Sequence, residues 1–171
     1  MTLGSTRHAG EAPWLTAARR HMGLAEIPGK DTAPVIAGWL LKLKAWWADD
    51  ETPWCGVFVA ACLNEACISL PKHWYRAKGY LDWGWELKES RLGCVVVYDR
   101  KGGGHVGFVV GKDSGGRLMT LGGNQGNRVS IAPFDSARVL GYRWPRDAID
   151  ALPIDPLPIL ASSAASSSQE A

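Results

Sequence analysis

The 171-residue chain has almost no excess of charge: 19 Lys and Arg against 17 Asp and Glu leave a net of +2, with the cations scattered among the acids. A nucleic-acid partner would call for a basic stripe, so none is expected. Long hydrophobic runs are missing too. The longest, Val57–Leu63 and Cys94–Val97, fall far short of the ~20 apolar residues that cross a bilayer, so stable membrane insertion is not expected. Residues Met1 to Arg20 include Arg7, His8 and Glu11 but no apolar stretch of the secretory kind, from which synthesis in the cytoplasm without a signal peptide is expected. Cysteine is sparse: Cys55, Cys62, Cys67 and Cys94 form no CxxC pair, and no HxxxH accompanies them. That argues against a disulfide scaffold and gives a structural zinc site little footing. No metal or organic cofactor is called for.

What is present suits one domain with a substantial core, since 46% of residues are apolar and nine are Trp. Residues 1–12 read as a flexible lead-in, 13–149 as a single domain, and 150–171 as a disordered Pro/Ser/Ala-rich tail. Within the domain, Trp14, Leu15, Ala18 and Met22 recur at helical spacing behind Pro13. A loop over Gly23–Pro34 leads to a second helix at Val35–Trp47. The acids Asp49, Asp50 and Glu51, then Thr52 and Pro53, precede an apolar run from Cys55 to Ala66, the signature of a buried central helix. Pro71–Arg91 is irregular, with a short helix around Ala77–Trp83. Five runs rich in Val, Ile, Tyr and Phe follow, at Cys94–Arg100, His105–Asp113, Arg117–Leu121, Arg128–Phe134 and Val139–Trp144, separated by Gly-rich turns. Such short connections make antiparallel neighbours. The fold class is α+β, with N-terminal helices packed on a five-stranded antiparallel sheet or small barrel.

Cys55 falls in the first turn of the central helix, where backbone N–H groups and the helix dipole favour a thiolate. Gly56 after it would leave room for a substrate to approach the backbone. Cys62, two turns on, reads as inert packing. His105 opens a strand after three glycines, a place where its ring would be exposed at a sheet edge. A thiol and an imidazole in this order suit nucleophilic catalysis, and a third polar group must then fix the ring. Asn124, at the end of the following strand, is placed for that role, with Asn127, Gln125 and Asp113 as rivals. Trp54 and Tyr98, close to the motifs in sequence, are candidates to line a substrate groove.

The strings Thr52-Pro53-Trp54-Cys55-Gly56-Val57-Phe58-Val59, Gly103-Gly104-His105-Val106-Gly107-Phe108-Val109 and Gly122-Gly123-Asn124-Gln125-Gly126-Asn127 resemble those of the CHAP and NlpC-type papain-like cysteine peptidases. The similarity covers roughly Pro13–Pro145 and is strongest to small cell-wall hydrolases of phages and prophages. It implies a papain-like fold, peptidoglycan as the partner, a monomer, Cys55 as nucleophile, His105 as base and Asn124 as the orienting residue. The activity implied is cleavage of a stem-peptide amide, as in an endolysin-like endopeptidase. An N-acetylmuramoyl-L-alanine amidase, a secreted antibacterial effector and a non-catalytic wall-binding module of the same fold are the alternatives. The chain departs from many relatives in having Trp54 and Gly56 on either side of Cys55. It also has Gly122 where some relatives carry Glu.

Overall fold

The computed structural model describes residues 10–29, 31–48 and 53–161. The acids and Thr52 expected to start the central helix lie outside these residues, as do most of the lead-in and positions 162–171. The first helix, α1 (Pro13–Arg20), begins on a proline whose missing N–H costs nothing in the first turn, and it ends on Arg19 and Arg20, whose charge suits the helix C-terminus. The second, α2 (Pro34–Lys42), also starts on a proline. It is shorter than its apolar pattern suggests, because Lys44 adopts a φ of 58° that ends helical geometry. The third, α3 (Cys55–Glu65), is buried from Cys55 through Leu63. It packs against α1, β3 and β4 and is the central helix the apolar run requires. A 3₁₀ turn at Ala77–Asp82 follows. Among the described residues, no helix is long and apolar enough to cross a membrane.

The strands are β1 (Trp85–Leu87), β2 (Val95–Arg100), β3 (Gly103–Lys112), β4 (Leu118–Gly122), β5 (Ser130–Phe134) and β6 (Val139–Trp144). They form one open antiparallel sheet in the order β1-β6-β2-β3-β4-β5. The sheet therefore has six strands where five were expected, and it is not closed into a barrel. The added strand, β1, is three residues long, too short to show any alternation of its own. It forms because Trp85 and Leu87 pair with Trp144 and Tyr142 of β6. β2 is buried at Val95, Val96, Val97 and Tyr98, so it sits between layers of core and not at an edge.

The C-terminal part was expected to be disordered from residue 150. Residues 150–161 instead lie against the sheet, where Lys112 N–H donates to Pro158 O and Leu160 N–H to Lys112 O. This parallel contact with Ile159 extends the sheet locally at the far end of β3.

Candidate active site

Cys55 is the first residue of α3 and only 4% exposed. Burial pushes its thiol up from the ordinary range. The N–H groups of Val106, Gly56 and Cys55 itself pull the other way, as does the positive charge of Arg100. Donation from Gly56 and Cys55 is the expected action of a helix N-terminus on sulfur. The backbone of Val106, the residue after His105, is near enough to lower the thiol, and Gly103 and Gly104 at the start of β3 share the groove with Cys55. The space beside Gly56 does not admit a substrate, because a Cβ there would lie 2.7 Å from Trp74 O and 2.9 Å from the Tyr75 carbonyl carbon. Glycine at 56 lets the first turn of α3 press against the 74–75 backbone.

His105 is fully buried, which corrects its expected exposure at a sheet edge. β3 begins at Gly103, so His105 is its third residue, paired with Tyr98 on β2 in an interior strand. Its ring stacks on Phe134 at 5.3 Å between centroids and 9° between planes, and Phe134 stacks in turn on Tyr98 at 4.5 Å.

Gln125 holds the ring. Its Oε1 lies 2.9 Å from His105 Nε2, and its amide nitrogen donates to Ser130 O at 2.9 Å and Thr120 O at 3.2 Å. Two carbonyl acceptors on the amide nitrogen fix which end of the amide faces the imidazole. A carbonyl oxygen can only accept, so His105 Nε2 carries the hydrogen and the neutral ring keeps its lone pair on Nδ1. That is the tautomer a base needs if the thiol is approached from the Nδ1 side.

The space for this arrangement comes from Gly122. A Cβ at that position would lie 2.2 Å from Gln125 Oε1 and 3.2 Å from His105 Nε2. Any side chain at 122 would therefore occupy the place that the Gln125 amide takes beside the imidazole.

The other candidates for the third group differ in their surroundings. Asn124 is 1% exposed with a φ of 58°, and its Oδ1 makes no hydrogen bond; in that left-handed position it shapes the β4–β5 turn. Asn127 is exposed with a φ of 60°. Asp113 follows the last residue of β3, at the opposite end of the strand from His105. Burial would raise its carboxyl, but the Arg117 N–H, the Arg117 guanidinium and the Gly115 N–H outweigh this and hold it below the usual carboxylate range.

Neither aromatic residue expected in the groove lines it. Trp54 is 1% exposed and precedes α3, with Nε1 donating to Glu26 Oε2 at 3.0 Å. Tyr98 is buried on β2, its hydroxyl 2.6 Å from Thr120 Oγ1. Proximity to the motifs in sequence places both in the core around the site.

The groove itself has a volume of about 220 Å³, and its walls include Pro53, Cys55, Tyr75, Arg76, Lys78 and Gly104. A larger cavity of about 580 Å³ lies beneath the C-terminal segment, among Glu11, Arg19, Val110 and Pro153, away from Cys55. Size does not decide between them, because the smaller one holds the cysteine beside the histidine strand. Of the other thiols, burial pushes Cys62 well up and Cys94 up to about 12, while Cys67 is exposed. Among the described residues, no three His, Cys, Asp or Glu side chains gather as metal ligands would.

A search of curated proteins and a search of solved structures each found no match to this chain. A family model does match, from just before the cysteine helix, through the histidine strand, to the turn that precedes Gln125. Residues 47–124 match the model of the CHAP domain, a match consistent with a papain-like cysteine peptidase.

Proposed function

We propose that the chain hydrolyses an amide bond of bacterial peptidoglycan by acyl transfer through Cys55, with His105 as the base. CHAP domains are cell-wall hydrolases of the amidase or peptidase kind, which supplies the substrate class. The observation that carries the catalytic reading is the Gln125 amide, tied to Thr120 O and Ser130 O with its oxygen on His105 Nε2, beside a strand whose Val106 N–H reaches the Cys55 sulfur. In this reading Gln125 takes the orienting role that the family resemblance gives to Asn124.

His105 Nδ1 takes the thiol proton, and the Cys55 thiolate attacks the amide carbonyl carbon. Backbone N–H donors at the start of α3, that of Cys55 among them, hold the oxyanion. The imidazolium then protonates the leaving amine, the C–N bond breaks, and a thioester remains. Water attacks the thioester as His105 takes its proton. The C–S bond breaks, a carboxylic acid leaves and gives its proton to solvent, and the sulfur recovers a proton from the imidazolium. No step needs a redox partner or a metal.

The first candidate bond is a stem-peptide amide; the lactyl–alanine amide is the second, and the aromatic edge described below favours it. Action on the wall after release or delivery from the cell, as by a phage lytic enzyme or an antibacterial effector, belongs to the same proposal. Digestion of purified sacculi followed by mass spectrometry of the muropeptides tests it. Wild type should release fragments and Cys55→Ala should not. A new amino terminus within the stem marks an endopeptidase, whereas free lactyl carboxyls with intact stems mark an amidase. Intact sacculi with wild type, together with a wall effect that survives Cys55→Ala, would leave only a binding module.

A further inference from the structure

An aromatic edge borders the Cys55 groove, and the acyl-transfer steps use none of it. Trp46 is 73% exposed, yet its ring is held on two sides. It meets Trp47 at 4.7 Å and Tyr75 at 4.6 Å between centroids, both in edge-to-face geometry, and Tyr75 meets Trp74 at 5.6 Å. Tyr75 also lines the groove that contains Cys55. A lone exposed Trp is ordinary, but a rigid aromatic cluster continuous with a reactive groove has the make-up of a binding surface.

The polar groups set into this edge decide what can cover it. The Tyr75 hydroxyl and His73 Nδ1 lie 3.0 Å apart at an exposed position, and the Arg76 guanidinium sits 5.5 Å above the Tyr75 ring and on the same groove wall. A lipid tail or aliphatic side chain laid across them would take these groups out of water without a partner, which is costly. A pyranose ring meets both demands, because C–H groups on one face pack on aromatic carbon while its hydroxyl and acetamido groups accept from the rim.

We propose that Trp46 and Tyr75 form a saccharide subsite that holds an N-acetylated amino sugar of the glycan strand at the mouth of the Cys55 groove; the assignment rests on the peptidoglycan reading above. Because Tyr75 belongs both to this edge and to the wall of a groove of only about 220 Å³, the acyl group attached nearest the sugar is the one that reaches the sulfur. The amide cut is then the bond between the lactyl carboxyl of the muramic sugar and the first stem residue. Its C–N bond breaks, the lactyl carbonyl passes through the Cys55 thioester to a carboxylate with water as co-reactant, and the stem leaves with a free amine.

The test separates binding from turnover. Cys55→Ala protein is titrated with chitotetraose and with peptide-free glycan strands, followed by tryptophan fluorescence. Saturable binding is expected, weakened by roughly tenfold or more when Trp46→Ala is added and largely kept with Trp46→Phe. The Phe variant distinguishes loss of the ring from loss of the fold. In active enzyme, Trp46→Ala should raise KM for muropeptides with kcat kept, and a stem peptide lacking sugar should be a poor substrate. Equal binding by the Trp46→Ala protein, sugar-free stems cut as fast as muropeptides, or a self-association abolished by Trp46→Ala would each overturn the subsite. Digested sacculi without glycan binding would sink the subsite alone. Glycan binding with sacculi left intact by wild type would sink the hydrolase reading and leave the saccharide site standing.

Discussion

His105 Nε2 and Gln125 Oε1 lie 2.9 Å apart, and the opposite end of that amide is tied to the Thr120 and Ser130 carbonyls. The imidazole is therefore fixed by an amide that is itself fixed, from both strands flanking the β4–β5 turn. Replacing Gln125 with Ala should leave the fold and lower the rate of sacculus digestion by ~100-fold or more, within the range for loss of effective acid–base catalysis. Its pH profile should also change, because the tautomer is no longer imposed. Asn124→Ala should cost much less in rate. Equal losses in the two variants would assign the orienting role to the turn as a whole.

Gly122 supplies a sharper test because it carries no functional group. Its Cβ would lie 2.2 Å from Gln125 Oε1, so Gly122→Ala must displace the amide from the imidazole. Activity should fall toward the level of Gln125→Ala, and the two changes combined should cost little more than either alone. Digestion rates of the two single variants and the double variant check this. Additive losses would mean that Gly122 acts on something other than the Gln125 amide.

Most of the scaffold was legible in the sequence because it rests on strong periodic signals. The apolar run after Cys55 reads as a buried helix from its length and the helix-start residues before it, and the Gly-punctuated runs of Val, Ile and Phe read as short antiparallel strands. The site was legible in part. Cys55 at a helix start and His105 near a strand start follow from local pattern, but the contact between His105 and Gln125 does not. It depends on a space left by Gly122 and on carbonyls from Thr120 and Ser130, which come together only when β4 and β5 pair. Trp54 and Tyr98 mislead for the same reason: nearness along the chain says nothing about which face a large ring takes. The aromatic edge at Trp46 joins two segments, 46–47 and 74–75, that are separated in sequence and individually unremarkable in pattern.

The buried Tyr98 gives a prediction opposite to that of a groove residue. Its hydroxyl and Thr120 Oγ1 lie 2.6 Å apart out of solvent. Tyr98→Phe should therefore cost ~1 kcal/mol of stability, the worth of one buried hydrogen bond. It should leave KM for muropeptides unchanged. Urea denaturation and steady-state kinetics on the same preparation check both halves, and a KM that moves without a change in stability would return Tyr98 to the groove.

The thiols should answer to alkylation in an order set by exposure. Cys67 is exposed, so iodoacetamide should modify it first with no loss of activity. Inactivation should follow Cys55 alone. Burial pushes that thiol up, so its thiolate fraction in the absence of transfer to His105 is small at neutral pH and grows as pH rises. The inactivation rate should therefore climb with pH into the alkaline range, and His105→Ala should slow it most at neutral pH. Peptide mass spectrometry of partly inactivated protein assigns the site. Activity lost in step with Cys67 modification would contradict the placement of the nucleophile.

Buried acids that ionise only in alkali should set the upper limit of stability. Burial pushes Cys94 up to about 12 from an ordinary value of 9.0, and it pushes Cys62 and Tyr80 in the same direction. Each folded-state value is raised, so the stability associated with the neutral group is fully present below the unfolded-state value and is lost as pH rises toward the folded one. For Cys94 that window opens near pH 9, where the unfolded chain begins to release a proton that the folded chain retains. The urea midpoint should hold steady up to about that pH and fall above it. Cys94→Ala should lower the midpoint at neutral pH, through the small cavity it leaves, while flattening the decline in alkali. An unchanged alkaline slope in that variant would show that Cys94 does not govern it and would shift attention to Cys62 and Tyr80.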